Sequence, residues 1–274
     1  MDIDRAAYRR DGYLVLRGFV GAAVAADVVN GLSRILGHQL VSVGWGVAIN
    51  GGTDELTRRL IGLFRADRER YFDALRLAQH LPQLQVLGGG PGLCDLGRAL
   101  GISFPVVSTR QTLHIMSSGI KVQDGYDRTP AHQDWRSNQG SLDSLTVWAA
   151  MRDIGPRDFP LEIIPGSHLS GCLPDAPHRF GHQVDPAKVE SSRFVPIPLA
   201  AGDAIAFSAF LVHRTSPAGG KDARVAASFR LNNADDPSYI ARGYRNPYSY
   251  KLDLNLRDAP SAEEVRAVFA RRES

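Results

Sequence analysis

The chain has 274 residues, 43% of them hydrophobic and 22% charged, which excludes a disordered chain and is long enough for one large domain with a sizeable core. With 32 basic and 29 acidic residues the net charge is only +3, and the basic residues form no stripe with interleaved aromatics, so no nucleic-acid partner is expected. Cys94 and Cys172 are far apart and lack CxxC spacing, which argues against a disulfide framework or zinc knuckle and for the reducing cytoplasm.

The opening residues are charged and carry no signal-peptide-like apolar stretch, and no run of about 18 apolar residues predicts a membrane span. Asp2 or Asp4 can cap a short helix through Arg9, with Gly12 as its stop. Tyr13 to Leu16 reads as a strand. From Gly21 to Leu36, apolar residues recur at helical spacing, and Gly37 is expected to end that helix. Val41 to Ile49 is expected to be strand or loop. Asp54 opens the longest helical pattern, through Leu77, with a charged outer face. The glycine run from Gly88 to Gly92 reads as a break; it lacks the spacing of a phosphate loop. A short helix over Leu93 to Leu100 follows.

From Phe104 the pattern changes to short, β-branched segments separated by Gly, Pro and Asp. Strands are expected over Val106 to Ile115, Ile120 to Val122, His132 to Trp135, Leu145 to Met151, Leu161 to Ile164, Phe194 to Pro198, Ala204 to Phe207, Leu211 to His213 and Arg224 to Leu231. Such spacing suggests a sandwich or barrel, with the helical N-terminal part packed on it. Ser261 to Glu264 is a capping box that opens a final helix.

The chemistry centres on Thr129-Pro130-Ala131-His132-Gln133-Asp134-Trp135. On a strand, side chains two apart share a face, so His132 and Asp134 converge and Gln133 points away. His213, after the apolar run from Ala206, is the candidate for a third ligand. Two His and one carboxylate leave adjacent positions open on an iron, as in non-haem Fe(II) oxygenases. A surface turn with a satisfied histidine is the plainer reading of an isolated HxD pair. Arg224 lies eleven residues beyond His213, on a strand whose other face is Val225, Ala227, Phe229 and Leu231. Arg224, Ala226, Ser228 and Arg230 then share a face, and two arginines on a buried strand call for anionic partners.

The run from Tyr8 to Phe19, the Thr-Pro-Ala-His132-Gln-Asp134 stretch, the Ile164-Pro165-Gly166-Ser167-His168 turn, and Gly202-Asp203 leading to His213 and Arg224 together resemble the phytanoyl-CoA dioxygenase family over roughly Tyr8 to Arg230. Asp54 to Leu100 carries no matching motif. The resemblance implies an α+β, mostly β fold: a double-stranded β-helix (jelly-roll) core with N-terminal helices packed on the major sheet. The chain is then a single domain over 1–274, with a helical buttress over about 1–103, the jelly roll over about 104–235 and a C-terminal extension over about 236–274.

The resemblance also implies Fe(II) held by His132, Asp134 and His213, with 2-oxoglutarate and O2 as cosubstrates. Arg224 would anchor the far carboxylate of 2-oxoglutarate, which Ser228 could share. Lys121 and Trp148 are further candidates for that pocket; an exposed strand end and ordinary core are their plainer readings. Arg230, Arg110, Arg136 and His114 are candidates for substrate contacts, and a polar, anionic small molecule is the expected substrate. Because Asp134 is present where related halogenases carry a small residue, hydroxylation is the expected reaction. His168 is expected to be structural, and the loop from Leu169 to Arg193 is a candidate lid. Two rival classes remain: a cupin-type metal enzyme that uses no 2-oxoglutarate, for which Arg224 would be dispensable, and a non-catalytic jelly-roll ligand-binding protein, in which His132→Ala would leave ligand binding intact.

Overall fold

The computed structural model describes residues 3–44, 54–120, 128–178, 181–244 and 259–270. Helix α1 (Arg5–Asp11) begins where the Asp4 carboxylate accepts the Ala7 N–H and ends at Gly12, whose φ of 80° suits glycine. After β1 (Tyr13–Leu16), α2 (Ala22–Ser42) runs past Gly37, beyond its expected end. Its buried stripe continues through Leu36 and Leu40, and a Cβ at Gly37 would lie 2.8 Å from the Arg59 guanidinium. Glycine is there for close approach, not as a stop.

The long pattern from Asp54 is two helices, α3 (Glu55–Ala66) and α4 (Arg68–Ala78). Asp67 divides them: its backbone is extended, and its carboxylate accepts the Arg70 N–H. The glycine run that read as a break is largely helical. Helices α5 (Pro82–Gly89) and α6 (Pro91–Leu100) each start with proline and meet at the extended Gly90.

The single strand expected over Val106 to Ile115 is two, β2 (Pro105–Val107) and β3 (Thr112–Met116). In the expected strand at Ile120 to Val122, Ile120 closes a turn on Ser117, and the rest lies outside the described residues. The segment after His132 bends into a short helix, α7 (Asp134–Asn138). Next come β4 (Leu145–Ala150), β5 (Leu161–Ile163), the hairpin β6 (Asp175–His178) and β7 (Gly181–Val184), β8 (Val195–Ile197) and β9 (Ala204–Ser208). β10 (His213–Thr215) starts at the histidine itself, because Leu211 is still in a turn on Ser208. β11 (Arg224–Asn233), α8 (Pro237–Ala241) and α9 (Ala262–Ala270) complete the order. The capping box forms as read: the Glu264 N–H donates to Ser261 Oγ and the Ser261 N–H to Glu264 Oε2.

All the pairing is antiparallel. The major sheet has the order β1-β9-β4-β11-β2, with β3 also on β11; the minor sheet is β10-β5-β8. The sheets stay open, so the β part is a two-sheet jelly roll and not a closed barrel. Strand alternation gives β11 two unlike faces. Val225, Ala227, Phe229 and Leu231 join Leu32, Leu36, Leu60 and Leu96 of the helices in the main core. Each of these buried Val, Leu and Phe side chains contributes roughly 1.5–3 kcal/mol. On the other face, Ala226 packs with Trp148, Ile205 and Phe207 toward Leu161, Ile163 and Leu211. The space between the sheets is where the polar side chains of that second face lie. Among the described residues no helix is long and apolar enough to cross a membrane.

Candidate metal centre

His132 is placed by a backbone bridge to His213: each N–H donates to the other's carbonyl, at 2.9 and 3.1 Å. Asp134 is not on a strand. It is the first residue of α7, whose Trp135 N–H donates to Ala209 O at 2.9 Å. The two ligand candidates therefore converge through a bridge followed by a helical turn, not through strand alternation. Gln133 points away, as expected, and is buried. Its amide donates to Gly171 O and Phe210 O and accepts the Leu173 N–H, which fixes the bend between the two ligands.

Asp134 Oδ1 lies 3.6 Å from His132 Nε2 and 3.8 Å from His213 Nε2, and the three ligand atoms lie within 4.8 Å of one another. An ion about 2 Å from each atom fits the 3.6 and 3.8 Å separations from Asp134 Oδ1. Each imidazole sets its Nδ1 against a carbonyl two residues earlier, Pro130 O at 2.8 Å and Leu211 O at 2.9 Å. A carbonyl only accepts, so Nδ1 carries the proton and Nε2 keeps its lone pair for a metal. Burial, with His132 beside it, lowers His213 to about 3, so its ring is neutral near pH 7. Burial alone would raise the Asp134 carboxyl, but Arg230 and the two imidazoles outweigh it and hold the group well below the usual range. The donor set is two imidazoles and one carboxylate, the chemistry of a non-haem iron site.

Asp134 Oδ2 accepts the Thr146 hydroxyl at 2.7 Å and Arg230 Nε at 3.0 Å. Arg230 Nη1 donates to Ser228 Oγ at 3.1 Å, and Ser228 Oγ lies 2.9 Å from His114 Nε2. Ser228, expected beside Arg224, is thus engaged by Arg230 and His114. Burial lowers His114 to about 3, with Arg224 and Arg230 adding to the effect.

Arg224 is buried, and burial lowers it to about 9. Its Nη1 donates to Phe159 O at 2.6 Å, and its guanidinium lies 5.3 Å from the Trp148 ring. Among the described residues it forms no ion pair, and its buried Nε has no hydrogen-bond partner. A buried guanidinium without an anion is costly and fits a carboxylate ligand. Phe159 holds φ at 53°, a left-handed backbone, with its ring where a Cβ on Gly219 would be.

The other candidates fall elsewhere. Arg136 turns to the hairpin, with Nη1 3.0 Å from Asp175 Oδ1 and Nη2 donating to Leu173 O. Arg110 is exposed between β2 and β3. Lys121 lies outside the described residues. His168 is internal: its Nε2 is 3.1 Å from Arg9 O, and its ring packs edge-on to Phe269. Part of the expected lid loop is the β6–β7 hairpin, tied beside His132 by the bond from the Val184 N–H to Ala131 O. The sequence did not single out Thr146, whose hydroxyl reaches Asp134, or Phe159, whose carbonyl reaches Arg224. Thr146 faces Arg230 across the β4–β11 pair, a register that one strand read alone does not show.

Residues 8–226 match the family model described as phytanoyl-CoA dioxygenase. Several solved structures are similar to this chain. The epimerase SnoN, crystallised with Fe3+, alpha-ketoglutarate and nogalamycin RO, is 23% identical with a TM-score of 0.53, over 94% of this chain and 93% of that one. EvdO2 from Micromonospora carbonacea var. aurantiaca, in complex with 2-oxoglutarate, is 16% identical with a TM-score of 0.56, over 85% and 91%. AviO1 from Streptomyces viridochromogenes Tue57 is 20% identical with a TM-score of 0.56, over 86% and 98%. At these identities the likeness is one of fold.

Proposed function

Because the chain belongs to the phytanoyl-CoA dioxygenase family, we propose that it is an Fe(II)/2-oxoglutarate-dependent oxygenase that hydroxylates a polar small molecule, releasing succinate and CO2. The observation that carries this reading is the pairing of a His132–Asp134–His213 ligand set with a buried Arg224 that lacks a carboxylate among the described residues. Iron bound with 2-oxoglutarate supplies the oxidation of a C–H bond by O2.

In this reading His132, Asp134 and His213 hold the iron. Arg224, with the Trp148 ring beside its guanidinium, receives the far carboxylate of 2-oxoglutarate. The backbone carbonyls on both Nδ1 atoms keep the imidazoles in one tautomer and one orientation. Asp134 fills the position that a halide would need, which favours hydroxylation. An anionic substrate group has fewer protein partners than the sequence suggested, because Arg136 faces Asp175 and Arg230 faces Asp134 and Ser228.

The test is succinate formation by anaerobically Fe(II)-loaded protein given 2-oxoglutarate, then O2, with pools of small metabolites. The expected result is succinate that rises with one pool, a product carrying one added oxygen atom, and loss of both in His132→Ala. A product of unchanged mass would replace hydroxylation with isomerisation, the class of reaction named for SnoN. Absence of 2-oxoglutarate binding would overturn the reading.

A further inference from the structure

Asp134 gives one oxygen to the ligand triangle and presents the other to the sheet beneath. Oδ2 receives two donors, Thr146 Oγ1 at 2.7 Å and Arg230 Nε at 3.0 Å. These residues face each other across the central β4–β11 pair. Asp134 itself opens α7, a helix of only five residues. The firmest support for its carboxylate therefore comes from the sheet. The same guanidinium reaches Ser228 through Nη1, so its fork spans both partners. A lysine ammonium, a point charge on a flexible stem, cannot reproduce that fork.

We infer that Arg230 and Thr146 are positioning residues that occupy Asp134 Oδ2 and so reserve Oδ1 as the single oxygen offered to the metal. The inference rests on the metal-centre reading above and deepens it. A metal held by two imidazoles and one carboxylate oxygen would keep room for further ligands. A carboxylate that swung to offer both oxygens would take up part of that room, so the clamp on Oδ2 would keep the site open. Arg230 then acts inward, on the ligand, and not outward on substrate.

The test uses the full chain with Co(II) as probe, titrated calorimetrically and by its visible spectrum, in wild type, Thr146→Val, Thr146→Ser, Arg230→Met and Arg230→Lys. Removing a partner behind a metal ligand weakens affinity by about 10–100-fold. Thr146→Val and Arg230→Met are expected to weaken Co(II) by that factor and to shift its spectrum. Thr146→Ser should restore both, and Arg230→Lys should recover little. Far-ultraviolet circular dichroism checks each fold, and Thr146→Val, nearly isosteric and uncharged, carries the test if Arg230→Met does not fold. Wild-type affinity and spectrum in Thr146→Val would overturn the inference. So would Arg230→Met and Arg230→Lys variants that fold and bind Co(II) with wild-type affinity and spectrum. Wild-type protein that binds no Co(II) would instead overturn the metal-centre reading itself.

Discussion

Arg224 is a cation that folding removes from water without supplying an anion among the described residues, while Arg230, six residues along the same face, finds Asp134. The two arginines are alike in sequence and opposite in circumstance. Replacing a lone buried charge with an apolar side chain costs little or stabilises, whereas a ligand carboxylate that pairs it should stabilise the native state. We therefore expect 2-oxoglutarate to raise the Tm of Co(II)-loaded wild-type protein. Arg224→Leu should unfold no earlier than wild type without 2-oxoglutarate and gain nothing when it is added. Differential scanning fluorimetry reads both, and an unchanged ligand shift in the variant would remove Arg224 from the pocket. His132, Asp134 and His213 could be picked out from the HxD spacing and the family resemblance, although they converge through a bridge and a helical turn and not through the strand alternation expected of them. Thr146 and Phe159 could not be. Thr146 matters through its register opposite Arg230, and Phe159 through a carbonyl aimed by a left-handed backbone.

Between elements, the sequence misplaced boundaries wherever a tertiary contact overrode a local signal. Gly37 continues a helix because Arg59 packs there, and Asp67 splits one because its carboxylate caps the next. Gly88 is helical, and its missing Cβ leaves room for the Gln111 side chain. At Gly202, φ is 89° and a Cβ would meet the backbone of Gly21 and Ala22 at 2.8 Å. Backbone cannot step aside as a side-chain tip can. Gly202→Ala should therefore cost more than about 1 kcal/mol, a loss of several degrees in Tm or a lower denaturant midpoint. His168 joins α1 to α9 through Arg9 O and the Phe269 ring. Burial lowers it to about 4 despite the opposing bond to Arg9. An unfolded histidine titrates near 6.5. Between those values the unfolded chain binds more protons, so stability falls as pH drops from about 6.5 toward 4, by up to about 1.4 kcal/mol per pH unit. His168→Gln should flatten that slope in chemical denaturation of the metal-free protein. It should not abolish it, because His114 and His213 are also lowered by burial. An unchanged slope would mean that His168 is not held neutral.

Across the whole molecule, the helices and the major sheet share one apolar core, from Leu32 and Leu60 to Val147 and Phe229. The short strands pointed only to a sandwich or barrel, and it was the family resemblance that implied the jelly roll. The glycine run hid α5, whereas α6 matches the helix read over Leu93 to Leu100, and the openness of the two sheets follows from pairings between distant strands. We propose that this shared core makes the chain one cooperative unit. Helical circular dichroism and the fluorescence of the buried Trp135 and Trp148 should then give coincident denaturant midpoints. Separate midpoints would divide the helical buttress from the sheets.

Phe159 keeps a left-handed backbone while offering its carbonyl to Arg224, so strain and an unpaired charge coincide at one point. On the proposed reading, a keto acid that paired Arg224 would relieve the charge and lower the population of opened molecules that proteases cut. Digestion by a protease in cell extract should slow as the keto acid is supplied.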